Sequence, residues 1–237
     1  MVILKEFLHH TTCSYLAGKE EILHYKIIQN STKEELEEFI ELGYRRFGKM
    51  FFRPVCPTCS ECKSLKVDVR NFQWSKSKRR ILNRAKELEI HLQKPSMSKE
   101  HLALFEKYHL YKKEKNNWDY EQVTQKGYYH SFVEGAYDFG YEVLYFWQKK
   151  LIAVDLIDIL PSGISSIYCY YDPDFNYYNL GKLSLYYQII LAKENNLAWI
   201  YLGYYVKECP SLAYKAEYKP YKLLKNRPDF LSEALWQ

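Results

Sequence analysis

At 237 residues, with 47% hydrophobic and 17% aromatic content, the chain is long enough to bury a sizeable core and too apolar to be disordered. Its net charge of +5 comes from 34 basic and 29 acidic side chains, and its six cysteines are clustered rather than spaced as a disulfide framework. The opening stretch Met1–His10 carries charges where a signal peptide needs an unbroken apolar core, and no run approaches the ~20 apolar residues of a membrane span, so a cytoplasmic protein with reduced thiols and no membrane contact is expected.

The first predicted element is a helix over 32–46. Ser31-Thr32-Lys33-Glu34 reads as a capping box, and Leu36, Phe39, Ile40 and Gly43 follow at helical spacing. Such a helix would deliver Arg45 and Arg46 to its C-terminal end, where cations favour the macrodipole. Arg53-Pro54 then leads into Cys56-Pro57-Thr58-Cys59-Ser60-Glu61-Cys62. A C-x-x-C turn brings two thiolates to one side of a loop, so Cys56, Cys59 and Cys62, completed by Cys13 or by His9 or His10, are candidate ligands for zinc or an iron-sulfur cluster. Arg45, Arg46 and Arg53 beside them would grip a carboxylate or phosphate bidentately.

Ser64 to Val69 alternates as a strand. From Lys76 to Leu88 helical spacing resumes through Ile81, Leu82, Ala85 and Leu88, leaving the charges on the opposite face. Lys76, Lys78, Arg79, Arg80, Arg84, Lys86 and Lys94 against Glu87 and Glu89 account for the whole basic excess, the electrostatic footprint of a polyanion partner. Ile90–Leu92 is a short strand. Pro95-Ser96-Met97-Ser98 is a break, dividing the chain into a cysteine- and arginine-bearing region 1–95 and a region 96–237.

A helix over 98–113 and a polar loop over 115–119 follow, and signals mix from 120 to 136. Tyr141–Gln148, Leu151–Leu160 and Ile164–Tyr171 read as strands joined by hairpin-length turns, an antiparallel meander. A helix over 180–195 starts at Leu180-Gly181-Lys182, and Trp199–Leu202 is a last apolar strand before Gly203. Meander, glycine-entered helix and strand resemble the core order of the acyl-CoA N-acyltransferase fold of GCN5-related N-acetyltransferases (GNAT). This implies an α+β architecture with helices on both faces of the sheet, preceded here by an N-terminal cysteine-containing region. In that fold an R/Q-x-x-G-x-G/A loop cradles the coenzyme A pyrophosphate; Gly181 alone stands here, which argues against acetyl-coenzyme A as donor.

Arg45-Arg46-Phe47-Gly48, Arg53-Pro54-x-Cys56-x-x-Cys59, Asp158-Ile159-Leu160-Pro161, Ser165-Ser166-Ile167-Tyr168, Tyr170-Tyr171-Asp172-Pro173-Asp174, Leu180-Gly181, Tyr201-x-Gly203-Tyr204-Tyr205 and Tyr214-Lys215-Ala216-x-Tyr218-x-Pro220 together resemble the arginyl-tRNA-protein transferase family. The likeness runs from about Cys13 to Leu224, and the compact length resembles its bacterial branch, the aspartate/glutamate leucyltransferases. The resemblance implies transfer of leucine from leucyl-tRNA to an N-terminal Asp or Glu of a target protein, marking it for degradation through the N-degron pathway. It also implies an acyltransferase-like fold.

The ester of a charged tRNA is already activated, so the target's α-amine attacks it directly and neither a protein nucleophile nor a cofactor is required. The expected base or orienting groups are Asp158, Tyr171 and Asp172. Recognition of the acidic side chain falls to Arg45, Arg46 and Arg53, then Lys215, with Tyr204, Tyr205 and Tyr214 lining the cleft or stacking a terminal base. The tRNA backbone is expected along Lys76, Lys78, Arg79, Arg80 and Arg84. The alternatives are an arginyl donor, a coenzyme A-dependent N-acetyltransferase, and a non-catalytic zinc-stabilised RNA-binding module held by Cys13, Cys56, Cys59 and Cys62.

Overall fold

The computed structural model of the protein describes residues 1–116, 118 and 122–237. Val2–Thr12 (β1) and Glu20–Gln29 (β2) form an antiparallel hairpin. Sequence periodicity passes over it because β1 is exposed along nearly its whole length and so shows no apolar alternation. The Thr32–Glu35 capping box starts α1 (Lys33–Glu41), which stops sooner than its pattern indicates. Gly43 adopts φ +85°, and the Tyr44 N–H turns back onto the Phe39 carbonyl at 2.9 Å, a glycine helix stop. Arg45 and Arg46 therefore lie on a strand, β3 (Arg45–Phe47), and not at a helix end. Met50–Pro54 (β4) pairs with both β3 and β2, giving a sheet of order β1-β2-β4-β3.

The second sheet begins with β5 (Lys63–Asp68), the alternating strand expected there. The basic helix α2 (Lys76–Arg84) is capped by Ser75 and runs into a 3-10 turn before β6 (Glu89–Gln93). Next come α3 (Lys99–Asn116) and the short α4 (Gln125–Tyr128). Of the loop expected over 115–119, Lys115 and Asn116 close α3, whereas Asn117 and Asp119, with the first two residues of the mixed 120–136 pattern, lie outside the described residues.

The meander is β7 (Gly140–Trp147), β8 (Lys150–Ile159) and β9 (Gly163–Tyr171); α5 (Leu180–Glu194), β10 (Trp199–Tyr205), α6 (Pro210–Ala213) and β11 (Tyr221–Leu223) complete the chain. The order is β11-β5-β10-β9-β8-β7-β6, with β9 and β10 parallel and every other neighbour antiparallel. This sheet draws strands from both sides of the Pro95–Ser98 break.

One face of the large sheet packs Val143, Ile152 and Ile157 against Leu183, Ile189 and Ala192 of α5. The other packs Leu144, Val154 and Leu156 against Leu104, Phe105 and Tyr108 of α3. Burying such side chains contributes ~1.5–3 kcal/mol each, which is what holds helices to both faces. A third cluster joins the sheets: Leu36, Phe39 and Ile40 of α1 meet Phe51 of the small sheet and Tyr201 of the large one. That contact fixes β3 against the middle of the large sheet.

Candidate active site

The parallel pair β9 and β10 is bonded only from Gly163 to Ser165 and from Trp199 to Tyr201. Beyond it, β9 stays with β8 as far as Tyr171, while β10 stays with β5 as far as Tyr205. The sheet therefore opens between its two central strands, and carbonyls on the β9 edge lose their strand partner. Arg45 fills the apex, its Nη2 donating to the Ser166 carbonyl at 2.6 Å and to the Ile167 carbonyl at 3.1 Å. The guanidinium reaches this position because Gly203 has no side chain and holds φ +74° at a bulge in β10. A Cβ there would stand 2.5 Å from Arg45 Nη1.

Arg45 Nη1 is buried without a partner among the described residues. Lys215, in the 3-10 turn Tyr214–Glu217, donates from Nζ to the Tyr204 carbonyl at 2.7 Å, one residue along β10 from the glycine under Arg45. Among the described residues neither cation forms an ion pair with a carboxylate. Burial, then the Arg45 charge, pushes Lys215 down to about 7. Desolvation likewise lowers the Arg45 guanidinium from its usual range, and the Tyr204 and Tyr15 phenols, the Asp158 carboxylate and the Tyr214 phenol act in the opposite direction. Two half-buried cations side by side with no carboxylate in contact can hold an anion.

Behind the wedge, Gln188 of α5 donates from Nε2 to Asp155 Oδ2 at 2.8 Å and to Ser166 Oγ at 3.2 Å. Burial pushes the Asp155 carboxyl up to about 7. Tyr171 overhangs Gly181 at the first turn of α5, where an added Cβ would lie 3.3 Å from its ring.

The other expected site residues are already engaged. Arg46 donates from Nε to Asp158 Oδ2 at 2.8 Å, from Nη2 to Oδ1, and from Nη1 to the Gly48 carbonyl at 2.8 Å. Both partners are buried, so this ion pair is a strut tying β3 to β8; Asp158 has no proton-accepting edge facing the wedge, and Arg46 none for a substrate. Arg53 donates to the Leu42 and Pro228 carbonyls at 3.0 and 2.5 Å and lies over the Tyr44 ring. The cavity at Arg53 is about 20 Å³, room for one water and not for an amino-acid side chain.

Asp172 is buried and holds Lys107 at 2.5 Å, Lys150 at 2.9 Å and the Asp174 N–H at 3.0 Å. Burial alone would raise its carboxyl, but these donors outweigh burial and hold it below the usual range, as befits a cap. Tyr204 is core, its hydroxyl donating to the Gly43 and Phe52 carbonyls at 3.2 and 3.1 Å, and Tyr205 is half-buried. Tyr214 stays 41% exposed, its ring edge-on to that of Tyr218.

Cys13, Cys59 and Cys62 gather around Leu16, Val206 and Cys209, and Cys56 accepts from the Ile22 N–H at 3.4 Å. Burial first, then the neighbouring thiols of Cys13, Cys56 and Cys59, pushes Cys62 up to about 12. Among the described residues no group of three or more His, Cys, Asp or Glu side chains is arranged to hold a metal ion. No step below runs through a metal or cluster.

The basic helix α2 presents Lys76, Arg79 and Arg80 to solvent, Lys78 folds over Phe72, and Arg84 lies 4.7 Å from the Tyr177 ring centroid. None of the five pairs with a carboxylate among the described residues. Tyr177 is 60% exposed, an aromatic face beside a cation that the sequence reading passed over. Asp155, Gln188 and Arg227 were passed over too. Arg227 donates from Nη1 to the Cys56 carbonyl at 2.6 Å and from Nη2 to that of Cys59, latching the C-terminal segment onto the cysteine loop. Only the lone Gly203 inside an apolar strand signalled a close approach.

The protein is thus a mixed α/β fold whose central sheet opens around a half-buried cation pair and which carries a separate, solvent-exposed basic helix. The chain belongs to the arginine-tRNA-protein transferase family, aminoacyl-tRNA-dependent transferases: residues 11–80 match the profile of its N terminus and residues 100–225 that of its C terminus. It is 48% identical over 226 residues to an aspartate/glutamate leucyltransferase of Campylobacter jejuni subsp. jejuni (strain 81116), covering 95% of each chain. Enzymes of the same name from Helicobacter hepaticus and Shewanella amazonensis are 37% and 36% identical, covering 100% and 90% of this chain and 98% and 88% of theirs. FemX superposes at TM-score 0.46 with 9% identity over 97% of this chain and 82% of its own. L-PGS from Bacillus licheniformis does so at 0.45 with 15% identity over 73% of this chain and 50% of its own; likenesses this slight carry no argument.

Proposed function

We propose that the protein transfers leucine from leucyl-tRNA to the N-terminal Asp or Glu of target proteins, marking them for N-degron-dependent degradation in the cytoplasm. The observation that carries the reading is the Arg45–Lys215 pair, half-buried at the apex of the wedge with no carboxylate of the protein's own in contact. An acidic side chain supplies the missing charge, and an amide or alkyl side chain leaves the pair unpaid, which is discrimination by an unmet cation. Leucine as the acyl group follows the name shared by the Campylobacter, Helicobacter and Shewanella relatives.

The reaction needs little of the protein beyond placement. The α-amine attacks the ester carbonyl and the terminal ribose hydroxyl leaves. The Tyr171 hydroxyl and the first-turn amides of α5 beside Gly181 are the proposed donors to the tetrahedral oxyanion. The separation of β9 from β10 supports a GNAT-like acyl-transfer cleft. The tRNA backbone is assigned to Lys76, Lys78, Arg79, Arg80 and Arg84, with Tyr177 offering a stacking face.

The test offers labelled leucyl-tRNA and arginyl-tRNA in parallel to peptides differing only in their first residue. Transfer of leucine to Asp and Glu peptides is expected; transfer from neither donor contradicts the reading, and preferred transfer of arginine moves it to the arginyl branch.

A further inference from the structure

The two faces of the small sheet differ. Ile28 and Phe51 turn to the side packed by Leu36, Phe39 and Ile40 of α1. On the other side the register sets Phe7 opposite Tyr25, Tyr25 opposite Phe52, and Phe52 opposite Arg45, one residue from each strand in a row across the sheet. The rings touch, with centroids 5.3 Å apart for Phe7 and Tyr25 and 5.7 Å for Tyr25 and Phe52, and Phe47 stacks 5.6 Å from Phe52. Ile27 and Met50 oppose each other beside the row. Phe7, Tyr25, Phe52 and Ile27 are half-buried and Met50 is exposed, and among the described residues none of the five joins a buried apolar cluster.

A contiguous aromatic strip left uncovered marks an interaction surface. This one has a fixed start, because Arg45 at its inner end is the cation proposed to hold the target's first side chain. At ~4.8 Å per strand, the row extends about 14 Å from Arg45 to Phe7. That is the reach of about four extended residues. The large sheet decides which substrate passes over it. Ile81 and Leu82 of α2 pack with α5 on the face that Ile200 and Leu202 of β10 share. Tyr201, between those two, turns to the opposite face and meets α1 and Phe51. The helix assigned to the tRNA and the small sheet with its aromatic row therefore stand on opposite faces of the large sheet, and the wedge with Arg45 opens between them.

We infer that the row Phe52–Tyr25–Phe7 is a second recognition surface for the target protein, taking apolar side chains at about the second to fourth residues behind the acidic first one. The inference rests on the proposed function. With the first side chain on Arg45, an extended chain lays its next residues across the rings, which remove apolar side chains from water and gain nothing from glycine or serine. The first residue is read by charge and the following ones by burial. Lys5, 5.1 Å from the Phe7 centroid, closes the outer end of the strip with a cation.

The test compares peptides beginning Asp-Phe-Leu-Val and Asp-Gly-Ser-Gly as acceptors for leucyl-tRNA. Wild type is expected to favour the apolar peptide by about 10-fold in kcat/KM, carried by KM, since burying one such side chain supplies that much. Tyr25→Ala with Phe52→Ala is expected to bring the ratio toward 1. Equal kcat/KM for the two peptides in wild type overturns the inference. So does a ratio retained in the double variant while KM for leucyl-tRNA rises, which assigns the row to the single-stranded end of the RNA. Absence of transfer to both Asp peptides in wild type defeats the proposed function itself, a distinguishable result.

A second readout needs no variant. An Asp-initiated peptide carrying benzoylphenylalanine as its third residue is expected, on irradiation, to crosslink to Tyr25 or Phe52 of the wild-type protein, and to lose that crosslink when excess Asp-Phe-Leu-Val peptide competes. Crosslinks confined to residues outside the small sheet overturn the inference.

Discussion

Arg45 Nη1 occupies the space that a side chain on Gly203 would need: a Cβ there would lie 2.5 Å from the guanidinium nitrogen, and the glycine already holds φ +74°. Two sheets meet at that contact. The small sheet supplies the cation and the large one supplies the opening. Gly203→Ala therefore combines backbone strain of about 1–3 kcal/mol with eviction of Arg45. It is expected to lower the urea midpoint and to raise KM for Asp peptides together; a variant with wild-type KM would show that Arg45 is not held by this contact.

Arg46 and Arg45 are neighbours in sequence with opposite fates. Arg46→Ala leaves Asp158 buried and unpaired, a loss of about 3–5 kcal/mol by chemical denaturation. Replacing both partners with apolar residues, Arg46→Met with Asp158→Leu, is expected to recover most of that loss. A double variant no more stable than Arg46→Ala would contradict the strut assignment.

The buried carboxyl of Asp155 makes stability depend on pH. Its folded value, pushed up to about 7 by burial, exceeds the unfolded value near 4, so the native state binds the extra proton between them. The stabilisation it contributes is fully present below pH 4 and is lost as pH rises through 7. Asp155→Asn is expected to flatten the stability profile over that window and to be more stable than wild type at pH 8, by an amount of the order of 4 kcal/mol. Parallel profiles for the two proteins would contradict a raised Asp155.

The exposed cations of α2 predict a salt signature. Arg79→Ala with Arg80→Ala should weaken binding of charged tRNA and lower the slope of log K against log salt by about 1–2, leaving preference among first residues of the peptide intact. An unchanged slope would place the tRNA elsewhere.

The elements that position the site were legible where apolar residues run together or recur at a fixed spacing: the meander and α5 are buried almost throughout and read as apolar runs, and α2 keeps its apolar residues on one side. The β1–β2 hairpin was not, because β1 is exposed on nearly every residue and alternation has no buried side to mark. The overlong first helix has a different cause. Leu36, Phe39, Ile40 and Gly43 keep helical spacing, but the glycine is the stop, and missing it put Arg45 and Arg46 on a helix end.

Local sequence gathered the arginines as a set, whereas only long-range packing separates them. Arg46 finds Asp158 more than a hundred positions away, whereas Arg53 and Arg45 find only backbone carbonyls, Arg53 beside a cavity of about 20 Å³ and Arg45 at the opening between β9 and β10. Lys215 became its companion because a turn after β10 folds back on the Tyr204 carbonyl.

The central claim is that Arg45 holds the acidic side chain of the target's first residue. Its most direct test measures kcat/KM for Asp-, Asn- and Ala-initiated peptides with leucyl-tRNA, for wild type and Arg45→Met. Wild type is expected to prefer Asp strongly over the isosteric Asn, and Arg45→Met to lose about 2–5 kcal/mol of that preference while Asn and Ala peptides change little. An Asp-to-Asn ratio that survives in Arg45→Met would contradict the account.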